Sequence, residues 1–220
     1  MTRGIFIVGN DSALSRAVEA ETVKRVDKYA SALISNRLSE TVSADLSSES
    51  EHDKRLSLEW NPSSPISARA LVLAAENRLE CIDEAILICT PPVIRGSPSG
   101  LSFSAVEIMV NDHIKGWFFL VKEITKIFKS RERGTLALVY PDIVSKEIDI
   151  LGSAVLASFR SLVQSLLSAA TKEPYSIIGF STSDSGNETA FASFIYKSID
   201  ELSKRSNGKL FKFGKFSFFK

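Results

Sequence analysis

Seven short bursts of β-branched and aliphatic residues, spaced by longer segments whose apolar positions recur at steps of three and four, dominate this sequence. The bursts fall at residues 5–8, 30–34, 56–60, 85–89, 135–139, 176–180 and 209–213, and the segments of helical period at 12–26, 38–48, 65–78, 104–129, 149–171 and 188–205. Strands that alternate with helices specify βα units around a parallel sheet, because a parallel neighbour needs a crossover and a helix supplies it. The expectation is a three-layer α/β fold, with a seven-stranded, mostly parallel sheet and helices on both faces. No internal repeat or interdomain linker interrupts the pattern, so residues 1–220 read as one domain.

Helix starts are marked as well. Ser64 precedes Pro65 at the head of the third helix and Asn187-Glu188 opens the last, both capping signals. The polar stretch 46–54 reads as an exposed helix end and loop. Segment 104–129 carries Val106, Met109, Val110, Ile114, Trp117, Phe118, Val121, Ile124 and Phe128 at helical spacing, and 149–171 repeats this through Leu156, Phe159, Val163 and Leu166. Helices this apolar have more than one face to cover, so burial against the sheet and packing against a second subunit both stay open.

The formal charge is +1, which argues against the broad basic footprint of a nucleic-acid binder. That mean hides an asymmetry. Residues 204–220 hold six of the 27 basic side chains and no acid, leaving 21 basic against 26 acidic residues, a net of −5, over 1–203. Two cysteines, Cys81 and Cys89, make neither a disulfide framework nor a CxxC pair and read as reduced thiols of a cytoplasmic protein. With His52 and His113 as the only histidines, no metal-ligand set is expected. The apolar start at 4–8 is short for a signal peptide, and no stretch approaches the roughly 20 apolar residues of a membrane span.

The first strand runs into Val8-Gly9-Asn10-Asp11-Ser12-Ala13-Leu14-Ser15, a glycine turn opening a helix, where an α/β sheet presents backbone N–H groups to a phosphate. Asp83 to Pro91 forms a fourth strand ending Cys-Thr-Pro, followed by His113-Ile114-Lys115-Gly116-Trp117-Phe118, then 134–139, then Ser158-Phe159-Arg160-Ser161-Leu162-Val163-Gln164-Ser165-Leu166. In order and spacing these resemble the short-chain dehydrogenase/reductase family, through its Thr-Gly-x-x-x-Gly-x-Gly turn, its Asn-Asn-Ala-Gly strand end, its Asn-x-x-Gly-x-Phe helix and its Ala-Leu-Arg-Ser-Leu-Thr-Gln-Ser-Leu helix. The resemblance spans nearly the whole chain and implies a Rossmann-like fold.

The family's chemistry rests on a Tyr that exchanges the proton, a Lys that lowers its pKa, a Ser that polarises the carbonyl and an Asn that holds a water path. Aligned on Arg160, the Tyr position falls on Gly152 and the Lys on Leu156; the Ser falls at Tyr140 or Pro141, and the Asn becomes His113. No tyrosine of the chain has a lysine four residues later. His113 and Tyr140 are therefore the only substitute catalysts the resemblance suggests.

Should a dinucleotide bind, the resemblance assigns it Gly9, Asn10, Ser12, Leu14, Ser15, Arg37, Cys89 and Thr90, with Ala13 and Ser15 standing where glycines admit the pyrophosphate. Ser12 and Ser15 serve equally well as helix caps. Arg37, with no acid at Ser35 or Asn36, favours NADP over NAD, or is simply an exposed helix residue. Pro91 and Pro92 stiffen the turn after Thr90. The polar 181–186 segment falls at the family's substrate loop and reads as a solvated loop or a ligand contact. The Phe/Lys tail at 209–220 reads as an edge strand, with a membrane surface, an anionic partner or single-stranded nucleic acid as other uses of the same residues. The expected function is a degenerate family homologue serving as a binding, regulatory or assembly subunit. It would form a homodimer or homotetramer through helices 104–129 and 149–171, or pair with a catalytically intact paralogue. The alternative is an NAD(P)-dependent oxidoreductase of carbonyls or alcohols with a rearranged site.

Overall fold

A computed structural model of the full chain describes residues 3–26, 29–34, 55–94, 96–142, 149–184, 186–202 and 206–214. In chain order these form β1 (Ile5–Asn10), α1 (Ala13–Val23), β2 (Tyr29–Ile34), β3 (Arg55–Leu58), α2 (Pro65–Leu79), β4 (Glu84–Ile88), α3 (Phe103–Val110), α4 (Gly116–Arg131), β5 (Thr135–Pro141), α5 (Ile150–Ala169), β6 (Ser176–Thr182), α6 (Glu188–Asp200) and β7 (Leu210–Phe213). The strands make one sheet in the order β3-β2-β1-β4-β5-β6-β7, every neighbouring pair parallel. All seven expected strands are present. The helix expected at 38–48, the polar 46–54 stretch and Arg37 lie outside the described residues.

A parallel sheet must be covered on both faces, and the period of two in each strand divides its residues between two cores. Phe6, Val8, Leu87 and Leu138 face α2, α4 and α5, where they meet Leu71, Trp117, Leu120 and Phe159. Ile5, Ile7, Ile86 and Val139 face α1 and α6, where Leu14, Val18, Phe191, Ile195 and Tyr196 close over them. The crossovers thus reverse direction between β1 and β4, and the ends of these two strands flank the crevice of the fold.

Local signals set the helix ends. Ser12, Ser64, Ser102 and Asp149 each accept a backbone N–H three residues on, and Pro65 occupies the first turn of α2. Asn187 precedes α6 but its side chain makes no cap bond.

Two expectations need correction. Segment 104–129 is not one α-helix, because a π-helical turn, Asn111–Lys115, separates α3 from α4. The wider turn keeps Met109, Asp112, His113, Gly116 and Trp117 all on the buried side, with Gly116 so close to Pro62 that a Cβ would lie 3.0 Å from the proline ring. Residues 150–172 are, by length and composition, apolar enough to cross a membrane, with a mean hydropathy of 1.5 over the most apolar window. Ser153, Ser158, Ser161 and Ser165 break the run, so no unbroken apolar stretch shows in the sequence. One side of this helix, through Val155, Leu156, Phe159 and Val163, packs on the sheet.

At the strand starts, Arg3 bridges Glu84 and Asp200, and Arg25 bridges Asp200 and Glu21, tying the ends of α1 and α6 to β4. β7 is the sheet edge, with Phe211 and Phe213 turned into a ring cluster with Phe180, Phe191 and Phe194, and Lys209 and Lys212 exposed.

Candidate functional site

The crevice is built first by β1 and the turn after it. A Cβ on Gly9 would lie 2.7 Å from Ser15 Oγ and 3.2 Å from Ile88 Cβ, so Gly9 is what lets α1 rest on the strands while Ser15 carries a side chain. Ser12 Oγ accepts the Ser15 N–H at 3.1 Å and donates to Ser15 Oγ at 3.0 Å. Both serines are committed to the cap. Leu14 is in the core below α1, Ala13 is exposed, and Asp11 pairs with Arg16 at the mouth of the turn. The turn keeps the first glycine of a phosphate loop, while its hydroxyls serve the helix.

Asn10 ends β1 almost fully buried and ties three elements together. Its Oδ1 accepts the Thr90 N–H at 3.3 Å, just past the end of β4, and its Nδ2 lies 3.1 Å from Nδ1 of His113 in the π-turn. His113 is 1% exposed, its Nε2 has no hydrogen-bond partner among the described residues, and burial pushes its pKa down to about 4. Cys89, wholly buried beside Trp117, has its thiol pushed far up by burial. The Trp117 indole N–H faces the Cys89 thiol, and Thr90 Oγ1 is buried with no hydrogen-bond partner among the described residues.

Tyr140 sits near the end of β5, 3% exposed, against Phe159, with the Arg160 guanidinium 5.7 Å from its ring centre. Arg160 pairs with Asp142 at 2.7 Å. Burial, and then the Asp142 charge, raise the Tyr140 pKa above its ordinary value, partly offset by Arg160 and by a hydrogen bond with Ser181. Ser181 and Thr182 are buried at the end of β6, so the first two residues of the expected polar loop belong to the strand.

Gly152 and Leu156 both lie on the buried side of α5. Asp149 caps this helix through the Gly152 N–H at 2.7 Å and also accepts the Ile94 N–H. The segment that leaves Thr90 is therefore fastened to the head of α5, and Ile94 and Leu151 pack against the core there. Sequence reasoning missed this clasp; an Asp three residues before Gly152, at the start of a helical period, was the available signal. It also missed the π-turn and the buried state of His113.

A second concavity, about 640 Å³, opens at the opposite end of the sheet, lined by Glu132, Arg133, Gly134, Thr171, Glu173 and Tyr175 among others. None of the described residues expected at the site borders it.

Solved structures share this fold over nearly the whole chain. An NADH-dependent reductase, A1-R′, complexed with NAD superposes with a TM-score of 0.73 at 10% identity, covering 96% of this chain and 95% of that one. A short-chain dehydrogenase from Mycobacterium smegmatis gives 0.70 at 8% identity, covering 98% and 93%, and ElxO with NADP bound gives 0.71 at 13% identity, covering 96% and 97%. The fold is that of short-chain dehydrogenase/reductase structures, a Rossmann-like α/β sheet. No protein-family model and no curated protein matches the sequence.

Proposed function

We propose that the protein is a degenerate short-chain dehydrogenase/reductase homologue that has lost ordinary hydride transfer and acts as a binding, regulatory or assembly subunit. The observation that carries this reading is the state of the proton-handling groups. Gly152 and Leu156 stand where the family has Tyr and Lys, and both face the core of α5. The two substitutes are displaced from neutrality in opposite directions, His113 down to about 4 and Tyr140 upward, so neither has the matched pKa of a general acid or base at pH 7. The family lowers its Tyr pKa with a nearby ammonium; here burial raises that of Tyr140.

The glycine turn at Gly9 and the capped start of α1 favour one further reading, a retained dinucleotide site, with NADP over NAD if Arg37 reaches it. Titration with NADPH and NADH, followed by cofactor fluorescence and calorimetry, tests both readings. The expected result is weak or no binding and no oxidation of NADPH with ketone or aldehyde substrates. Turnover that falls in Tyr140→Phe or His113→Ala would overturn the non-catalytic reading and establish an oxidoreductase with a rearranged site.

A further inference from the structure

The helical stretch made of α3, the π-turn and α4 turns a row of side chains to solvent, and the row changes character along its length. Phe103, Val106 and Val110 form its first part. Lys115, Lys122, Lys126 and Lys129 form the second, with Phe118, 49% exposed, between the first two lysines. Lys122, Lys126 and Lys129 follow one another at steps of four and three, so they share one face of α4, and Lys115 stands two turns before them. The four ammonium groups extend over about 20 Å of helix.

Little nearby charge opposes them. Lys122 and Lys126 form no ion pair among the described residues, Lys115 donates to Asn111 Oδ1 at 2.8 Å, and Lys129, 3.5 Å from Glu173, keeps a side chain 67% exposed. Glu123 is the one acid of α4 and is half-buried. On one flank α5, packed against α3 and the π-turn, has neither Asp nor Glu; on the other α2, packed against α4, exposes Arg69 and Arg78. Residues 1–203 carry a net −5, so this row is a local excess of positive charge on an acidic body.

A second copy of the chain suits the row poorly, because across α3, α4 and α5 it offers only Glu107 and Glu123 and would set lysine against lysine. The cations of the row are all lysine, a point charge that asks for no fixed geometry, whereas carboxylates held on a folded partner favour the planar fork of arginine. Lysine stems lie along apolar surface while their heads reach outward, and an exposed Phe among them anchors at a headgroup boundary. We infer that Lys115, Lys122, Lys126 and Lys129, with Phe118 among them, form a docking surface for a bilayer containing anionic phospholipid. Self-association through Phe103, Val106 and Val110 and lipid docking through the lysines draw on different stretches of the same helix.

The inference goes beyond the proposed function and needs no dinucleotide, so its failure is separable from the outcome of the cofactor titration. The full chain is sedimented with vesicles of phosphatidylcholine alone and of phosphatidylcholine with phosphatidylserine. Binding is expected only with phosphatidylserine present and should weaken as salt is raised. The surface variant Lys122→Gln with Lys126→Gln should bind about five-fold less tightly for each lysine, roughly 25-fold in all, the worth of two such charges near an anionic membrane. Light scattering of this variant should match the wild type, since α3 is untouched. Lys209→Gln with Lys212→Gln, on the exposed edge of β7, should bind vesicles as the wild type does. Absence of phosphatidylserine-dependent binding, undiminished binding by the α4 variant, or a loss confined to the β7 variant would each overturn the inference. Poly-L-glutamate that binds more tightly than the vesicles, with the same dependence on Lys122 and Lys126, would overturn it in favour of an acidic polypeptide.

Discussion

Gly9 and Ser15 fit each other at the head of α1. The space a Cβ would need on Gly9 is occupied by the Ser15 hydroxyl, so the two positions are coupled, and their substitutions should not add. Gly9→Ala is expected to cost ~1–3 kcal/mol in urea unfolding, as an overpacked contact does. In the Ser15→Ala background the same change should cost clearly less; equal penalties in both backgrounds would mean that Ile88 sets the limit. His113 gives a second test at this scale. Its folded pKa of about 4 lies below the unfolded 6.5, so above pH 6.5 both states hold a neutral ring. As pH falls from 6.5 toward 4, the unfolded chain takes a proton that the folded one refuses, and stability drops by roughly 3 kcal/mol in all. Urea midpoints measured between pH 7 and 4 should show this loss in the wild type and lack it in His113→Gln. The separate loss from Asp200 and Glu21, whose partners hold their pKa values below normal, arises at lower pH.

At the level of elements, α5 depends on one side chain for two tasks. Asp149 caps the helix and fastens the segment that leaves β4, so Asp149→Ala should lower stability by roughly 2–3 kcal/mol, more than a cap alone is worth. Asp149→Asn should cost roughly 1–2 kcal/mol, the share of the Ile94 tie, since Asn caps nearly as well but replaces the oxygen that accepts the Ile94 N–H. Thermal melts of the two variants separate the tasks. The strands themselves were legible because a buried parallel strand is a short, nearly continuous apolar run, as in Ala85-Ile86-Leu87-Ile88. The π-turn was not, because Ile114, Trp117 and Phe118 keep helical spacing on either side of it, and one widened turn leaves no mark in residue type. For the site, the sequence named Asn10, Thr90, His113 and Tyr140. It gave no sign that Asn10 joins two of the others or that Tyr140 and His113 are buried, since those facts depend on elements distant in the chain. That no tyrosine is followed four residues later by a lysine was visible from residue identity alone, and the structure adds that Gly152 and Leu156 face the core.

At the scale of the whole molecule, Val23, Leu33, Ile66 and Leu73 are exposed singly on α1, β2 and α2, whereas one side gathers several apolar side chains. Phe103, Val106, Val110 and Phe118 are exposed along α3 and α4, and next to them α5 presents Ser153, Ala154, Ala157, Ser161 and Ser165. A bulky row beside a smooth one is self-complementary under a two-fold axis, which suits the proposed homodimer or homotetramer. Light scattering at micromolar concentration is expected to give a dimer or tetramer, and Phe118→Glu with Phe103→Glu to give a folded monomer. A monomeric wild type would remove the proposal.

The register of the sheet also sets an order in time. Ile5, in the first strand of this sheet to leave the ribosome, pairs on one side with Tyr29 and on the other with Glu84. This interior strand of the finished sheet therefore spends part of synthesis as an edge, its apolar residues and unpaired amides open to any neighbouring chain until β4 emerges. Two of the proximal strands can meet early, but the crevice that holds Asn10 and His113 exists only after residue 113 has been made. A truncated or slowly translated chain would thus lose the site before it lost its early β structure, and would present to chaperones the same apolar strand that ends wholly buried in the finished sheet.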